Sequence, residues 1–361
     1  MSPSLRFPEF TGEWEKCKIE DITDAVSSGK SKNHFSNGEY NLYGSTGIIG
    51  RTDKALYDGK LVLVARVGAN AGFLQIINEP CGITDNTLIL KPKGIDAFYL
   101  YYFLQHFNLN RLIFGSGQPL ITGGMLKKVK VSLGTISEQS KIVKFLSLLD
   151  ERIATQVRLI EDLKKLRCAI VEKMFKQSKA NGRLGDFIEQ VSVRNKNGLY
   201  SNVLSVSNKQ GFVKQSEQFE DRTVASEDTS NYKIVKRNNF AYNPARINVG
   251  SIARLTKFDV GIVSPMYVCF RTKASIIPEY MEAFFTSQQF FYEMMKRLEG
   301  SVRLCLSYEG LCNIPVYIPD MNKQIAMGQN ISLILSKIGL EIEYLGRLHQ
   351  QKQYLLRKMF I

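Results

Sequence analysis

Histidine is scarce: only His34, His106 and His349 occur in 361 residues. None has a motif around it, so no Ser-His-Asp relay is suggested. The six cysteines (Cys17, Cys81, Cys168, Cys269, Cys305 and Cys312) form no C-x-x-C pair. With so few histidines they assemble no zinc ligand set, and they read as free thiols in a reducing cytosol. The opening MSPSLRFPEF has no apolar stretch, so no signal peptide is expected. No run approaches the eighteen or so apolar residues of a membrane span. Phosphate-loop chemistry is missing too. Gly44-Ser45-Thr46-Gly47-Ile48-Ile49-Gly50 and Gly68-Ala69-Asn70-Ala71-Gly72 lack the spacing and the lysine of a P-loop, and read as turn glycines. Asn243-Pro244-Ala245-Arg246 lacks the second proline and the aromatic of an amino-methyltransferase site. Asp162-Leu163-Lys164 has no carboxylate partner upstream for a nuclease. Acid is in deficit: 34 Asp and Glu against 48 Lys and Arg leave a net charge of +14. Such a balance points to a polyanionic partner, nucleic acid above all.

What is present is duplication. Gly115-Ser116, an apolar stretch through Val129, Val131 and Leu133, and a long amphipathic helix ending Lys173-Met174-Phe175 make up the first copy. Gly300-Ser301, then Ile314, Val316 and Ile318, then a helix ending Lys358-Met359-Phe360 make up the second, at a constant offset of 185 residues (300 − 115; 360 − 175). A repeat of this size implies two equivalent binding heads. Four segments follow: a strand-rich head over 1–136, a long helix over 137–180, a second head over 181–319, and a second long helix over 320–361. In the first head Leu61 to Val67 reads as a buried strand, and Asp96 as the N-cap of a short helix from Ala97 to Leu104. In the second, Phe240 to Tyr242 and Val260 to Val263 are strands, and Pro278 opens a helix. Asp21 and Asp186 open matching strand-like stretches, Lys18 to Ile22 and Arg183 to Ile188. The second head holds about twenty more loop residues, so the two heads should recognise different things.

The long helices carry the strictest pattern. Ile142, Leu146, Leu149, Ile153, Ile160, Leu163, Ile170 and Met174 recur at alternating four and three spacings, interrupted at Gln156 and Arg167. Met327, Ile331, Ile334, Ile338, Leu345, Leu348, Leu355 and Met359 repeat them, with Glu341 and Lys352 at the same two interruptions. Five heptads of this kind specify a coiled coil. The matching seams predict that the helices pair antiparallel, with Arg167 against Glu341 and Gln156 against Lys352, so that no lone charge is buried. The other packing, each helix on its own head, calls for a broader apolar face.

Polar turns supply the candidate nucleic-acid contacts, because Arg, Asn, Gln and Ser read base edges or grip phosphates. In the first head they are Tyr43, Ser45, Thr46, Arg66, Asn70, Asn86, Ser116 and Gln118. In the second they are Ser207, Asn208, Arg246, Asn248 and Arg303. Arg66 and Arg246 each follow a strand, 180 residues apart, and each could equally hold a loop.

Several stretches together resemble the DNA specificity (S) subunits of type I restriction-modification systems. They are Leu5-Arg6-Phe7-Pro8-Glu9-Phe10 with Gly12-Glu13-Trp14, Tyr43 to Gly50, Arg66 to Gly72, Thr84-Asp85-Asn86-Thr87, Gln118-Pro119-Leu120-Ile121, Glu138-Gln139 and Asn243 to Ile252. Met321-Asn322-Lys323-Gln324 departs from the family's usual acidic pair at the second helix. The resemblance implies a mixed α/β fold with a pseudo-two-fold internal repeat: two similar target-recognition domains separated by two long antiparallel coiled-coil helices that act as a spacer. It also implies a non-catalytic subunit that reads a bipartite double-stranded DNA target, one domain per half-site. The subunit docks two modification (methyltransferase) subunits, joined by restriction subunits. S-adenosylmethionine, ATP and Mg are expected on those partners, none on this chain, and the assembly is expected in the cytosol. A coil of about 35 residues is about 50 Å long, more than the roughly 34 Å of one DNA turn. The competing readings are a free-standing methyltransferase or nuclease with an unrecognised site, and a scaffold that binds only proteins.

Overall fold

The computed structural model describes residues 2–32, 38–113, 119–176, 179–208, 210–218, 228–301 and 303–361. The chain forms two compact units. One comprises Met1–Val157 with Glu343–Ile361, the other Arg158–Ile342.

In the first unit, β1 (Glu15–Lys18) pairs antiparallel with β9 (Lys130–Leu133). Between them lie β2 (Thr23–Ser28), β3 (Tyr40–Gly44), β4 (Gly47–Thr52), β5 (Lys60–Ala65), β6 (Leu74–Asn78), β7 (Cys81–Ile83) and β8 (Thr87–Pro92), followed by helices α1 (Ala97–Phe107) and α2 (Gly123–Lys127). They form one sheet in the order β2-β8-β5-β6 and a smaller one in the order β4-β3-β7. After the exposed Lys60, β5 is apolar from Leu61 to Ala65 because both its faces are covered. Val62 and Val64 meet the aromatic residues of α1, while Leu61 and Leu63 meet Ile83 and Ile89 on the other side. Asp96 caps α1 as expected, accepting from the Phe98 amide at 2.7 Å. The helix runs one turn beyond Leu104 and stops at Asn108 in the left-handed region (φ 57°).

The second unit repeats this plan. β10 (Gly182–Arg183) pairs with β19 (Pro315–Val316). Helix α4 (Leu184–Phe187) leads into β11 (Ile188–Gln190), β12 (Val203–Ser207), β13 (Gly211–Lys214), helix α5 (Gln215–Gln218), β14 (Lys233–Lys236), β15 (Phe240–Tyr242), β16 (Ile252–Arg254), β17 (Val260–Val263) and β18 (Val268–Thr272). Helices α6 (Pro278–Phe285), α7 (Gln288–Met295) and α8 (Tyr308–Cys312) complete the head. The sheet order β11-β18-β15-β16 reproduces β2-β8-β5-β6 strand for strand. In each small sheet one parallel pair recurs, β3 with β7 and β12 with β17. The second small sheet has a fourth strand, β14, paired with β17, where the first unit has only an isolated bridge from Tyr57 to Cys81 of β7.

The stretches opened by Asp21 and Asp186 are not strands throughout. Ile19–Ile22 and Leu184–Phe187 are single helical turns. Each aspartate accepts from the backbone amide three residues before it, Lys18 and Arg183, at 2.8 Å. A short acidic side chain that satisfies an unpaired amide favours the turn over the ladder.

The long helices are α3 (Ile136–Lys176) and α9 (Met321–Met359), whose first residues are again 185 apart. Every seam position is buried or half-buried. In the first unit Ile142, Leu146 and Leu149 of α3 share one core with Leu348, Leu355 and Met359 of α9 and with Tyr99 and Phe103 of α1. Asp150 contacts Lys352, and the Arg152 guanidinium lies 5.4 Å from the Tyr344 ring, so these helical stretches run antiparallel. In the second unit Val171 and Phe175 of α3 and Ile331 of α9 join Tyr280 and Phe284. Helix pairing and packing on the head therefore occur together within each unit.

Charge matching along the seam does not describe the ion pairs formed. Lys352 meets Asp150 at 2.6 Å and lies 5.4 Å from the Tyr102 ring. Glu341 pairs with Lys337 one turn back. Arg167 lines a cavity of about 270 Å³ with Glu282 and Arg254. Long side chains lay their stems along the seam and carry their charges to its flanks, where acids of neighbouring elements are within reach.

Candidate nucleic-acid interface

In the first unit, three of the polar turns converge. The β3–β4 hairpin closes through Ser45-Thr46, with Gly47 at φ 133°, a conformation that favours glycine. Gln75 donates its amide to the carbonyls of Gly44 and Ser45 at 2.9 and 3.1 Å. The Ser45 hydroxyl donates to the Asn86 carbonyl at 3.2 Å, which also accepts from the Arg66 amide at 2.9 Å. Thr46 and Asn86 are exposed on this edge. Asn70 is exposed on the adjacent turn, at the mouth of a cleft of about 500 Å³ shared with Gln105, Asn108 and Asn110. Gly68 and Ile121 tie that turn to the 119–121 segment. Ser116 and Gln118 lie outside the described residues.

Tyr43 and Arg66 are less exposed. Tyr43 donates its hydroxyl to Glu79 at 2.6 Å, and Asn41 donates to the same carboxylate oxygen at 2.8 Å. Burial, and then the Glu79 carboxylate, raise the Tyr43 phenol far above its ordinary range. The bonds from Asn41 and Tyr43 hold Glu79 below the usual carboxylate range. Arg66 is half-buried, and its Nε has no hydrogen-bond partner among the described residues.

In the second unit Ser207 ends β12 and Asn208 follows it, beside the turn Asn243–Gly250. Asn243 organises this turn by accepting from the Ala245 amide at 3.1 Å, and Gly250 closes it at φ 92°. Ser251 fastens it to β12 by donating to the Val206 carbonyl at 3.1 Å. Arg246 is exposed there, with Asn248 half-exposed beside it. Arg303 is exposed on the rim of a cleft of about 390 Å³ with Pro244 and Ser307, where the Leu306 amide donates to the Pro244 carbonyl at 3.0 Å. All five candidates of this head thus lie on one connected set of loops. The likeness between Arg66 and Arg246 does not extend to position. Arg66 directly follows β5, whereas Arg246 comes four residues after β15 and faces solvent.

Attention to polar turns overlooked Lys30, Lys32 and Lys54, which line a cleft of about 260 Å³ with Ser31, Thr52 and Asp53. The only sequence signal was the pair of lysines two apart. Also overlooked was the role of Arg6, whose guanidinium grips both carboxylate oxygens of the fully buried Glu138 at 2.6 and 2.8 Å. Trp14 donates to the same carboxylate at 3.1 Å.

Residues 11–165 match the type I restriction modification DNA specificity domain. A type I specificity subunit of Mycoplasma genitalium is 28% identical over 189 residues, 50% of this chain and 49% of the relative. The MjaVIII specificity subunit of Methanocaldococcus jannaschii is 31% identical over 119 residues, 32% of this chain and 28% of the relative. The chain thus spans about half the length of the first relative and less of the second. A solved structure, the S subunit of the type I restriction-modification system from M. genitalium, aligns with 100% of this chain and 99% of its own, with a TM-score of 0.65 at 20% identity. That agreement establishes the fold of a type I specificity subunit, mixed α/β with two long helices. The matched stretch contains every first-head candidate, from Tyr43 to Gln118. No helix among the described residues is long and apolar enough to cross a membrane.

Proposed function

We propose that this chain is the non-catalytic DNA-recognition subunit of a type I restriction-modification complex. Each head reads one half of a split double-stranded target, and the paired long helices serve as the spacer. The reading rests above all on one observation. The two heads share a strand order but differ in the loops that carry Ser45, Thr46, Asn70 and Asn86 in one and Asn208, Arg246, Asn248 and Arg303 in the other. A common frame with dissimilar loops suits the reading of two different half-sites. Residues 1–136 and 181–319 act as the target-recognition domains, and 137–180 with 320–361 as the spacer. Two modification subunits dock on the chain and restriction subunits join them. S-adenosylmethionine, ATP and Mg belong to those partners, and the complex works in the cytosol.

Mapping methylated adenines across the genome, with and without this chain, tests the reading. A methylated bipartite motif that vanishes when the chain is removed supports it. Exchanging residues 1–136 for those of a relative should change one half of the motif and leave the other. Loss of no motif, or a motif unaltered by the exchange, defeats the proposal.

A further inference from the structure

The groove beside β7 has the chemistry of a phosphate site. On one rim Lys30, Ser31 and Lys32 run alongside β7, where the Ser31 amide donates to the Ile83 carbonyl at 2.9 Å and the Ile83 amide donates to the Ser31 hydroxyl at 3.0 Å. On the other rim Thr52 ends β4 and leads to Asp53 and Lys54. The two rims converge over Gly82. A side chain there would stand 2.8 Å from the Thr52 methyl and 3.1 Å from the Ser31 hydroxyl, so only glycine leaves the small sheet narrow enough for the groove. Tyr57 anchors the far rim to β7 through paired backbone bonds with Cys81 at 2.9 and 3.1 Å. Three lysines thus line a cleft of about 260 Å³ with one acidic residue, Asp53. None of the three lysines has an ion-pair partner among the described residues. Lys18, Lys93 and Lys141 of this unit are neutralised, by Glu20, Asp24 and Glu9, while other surface lysines such as Lys60 and Lys91 are also unpaired among the described residues.

We infer that Lys30, Lys32 and Lys54 grip the phosphate backbone of a DNA duplex, as a contact blind to base sequence. The inference rests on the DNA-recognition reading and assigns it a separate, non-specific anchor. A compact ammonium on a flexible stem binds phosphate as a point charge and carries no planar fork for base edges. Each phosphate neutralised releases counterions, so the logarithm of affinity falls against the logarithm of salt by about 0.9 per contact.

The test is fluorescence anisotropy of the full chain with its modification subunits, on a labelled 30-base-pair duplex of random sequence titrated across KCl. K30Q/K32Q/K54Q should lower the salt slope by about 2 to 3 and weaken binding equally on duplexes of unrelated sequence. K30R/K32R/K54R should retain the slope. A control of equal charge loss on exposed helix positions, K164Q/K165Q/K323Q, should leave it within about 1. An unchanged slope in the groove variant, an equal fall in the control, or an altered methylation motif at constant slope would each overturn the inference. Failure of the unaltered complex to bind any duplex would instead strike at the DNA-recognition reading itself.

Discussion

Gln139 and Gln324 make the same hydrogen bond 185 residues apart: each side-chain amide donates, at 2.9 Å, to the carbonyl five residues before it, Gly134 and Pro319. The bond fixes the chain as it enters each long helix. Gln324 does more, donating to the Ser275 carbonyl at 3.1 Å and accepting from the Ile277 amide at 3.0 Å, so that it also holds the entry to α6.

Gln324→Ala should therefore cost more than Gln139→Ala. One buried hydrogen bond contributes about 1 kcal/mol, and each buried group left unpaired adds about 1 kcal/mol or more. We expect a loss of about 1 kcal/mol for Q139A and about 3 kcal/mol for Q324A. Amide hydrogen exchange, read separately for the strands of each unit, checks the difference. Equal losses would count against it.

Glu138 anchors the segment before β1. Glu138→Ala leaves the Arg6 guanidinium and the Trp14 indole without their shared acceptor. The buried Trp14 N–H is left unsatisfied and the Arg6 tether is lost, so this unit should be destabilised. Trp14 is the single tryptophan, so its fluorescence reports this unit alone. The urea midpoint followed at Trp14 should fall, while exchange protection of β15 in the other unit should not change.

Arg246 and Arg66 should separate cleanly. Arg246 is exposed on an ordered turn, and Arg66 is half-buried. Arg246→Ala should lower the salt slope of DNA binding by about 0.9 with unfolding unchanged. Arg66→Ala should lower the Trp14 midpoint. The two readouts exchanged between the variants would refute the assignment.

His106 predicts a pH effect. It packs 5.8 Å from the Phe360 ring, with a buried Nδ1 that lacks a partner among the described residues. Burial lowers its pKa, and Arg111 adds to this against a backbone bond with Leu356 that opposes it. A folded pKa below the unfolded one means that the unfolded state binds the proton more readily. This stability is present above about pH 6.5 and is lost as pH falls below that value. The Trp14 midpoint should drop between pH 7 and 5.5, and less so in His106→Asn.

Much of the architecture was legible because repetition exposes it. The repeat put the long helices at 137 and 320, each one residue from the observed starts Ile136 and Met321, even though Lys323 replaces the acid that Glu138 provides. The uninterrupted apolar run of β5 announced a strand covered on both faces. The turns at Ile19–Ile22 and Leu184–Phe187 were misread because one aspartate bond outweighs local strand character. The partners of the seam charges were illegible for a different reason. Arg167 shares a cavity with Glu282 of α6, 115 residues away in sequence, and Lys352 finds Asp150 off the seam. Helical periodicity holds no information about such neighbours. The same is true of the lysine groove, which exists only once β4 and β7 share a sheet.

The partition of the chain also sets an order of events on the ribosome. Arg158–Ile342 is continuous and can close its core as soon as it has been made. Met1–Val157, although made first, lacks Leu355, Met359 and Phe360 until Glu343–Ile361 emerges. Until then Tyr99 and Phe103 lack the Phe360 ring that packs on both. The earlier-born module is the later to mature, and any premature stop between them leaves a greasy half-core as bait for chaperones and proteases.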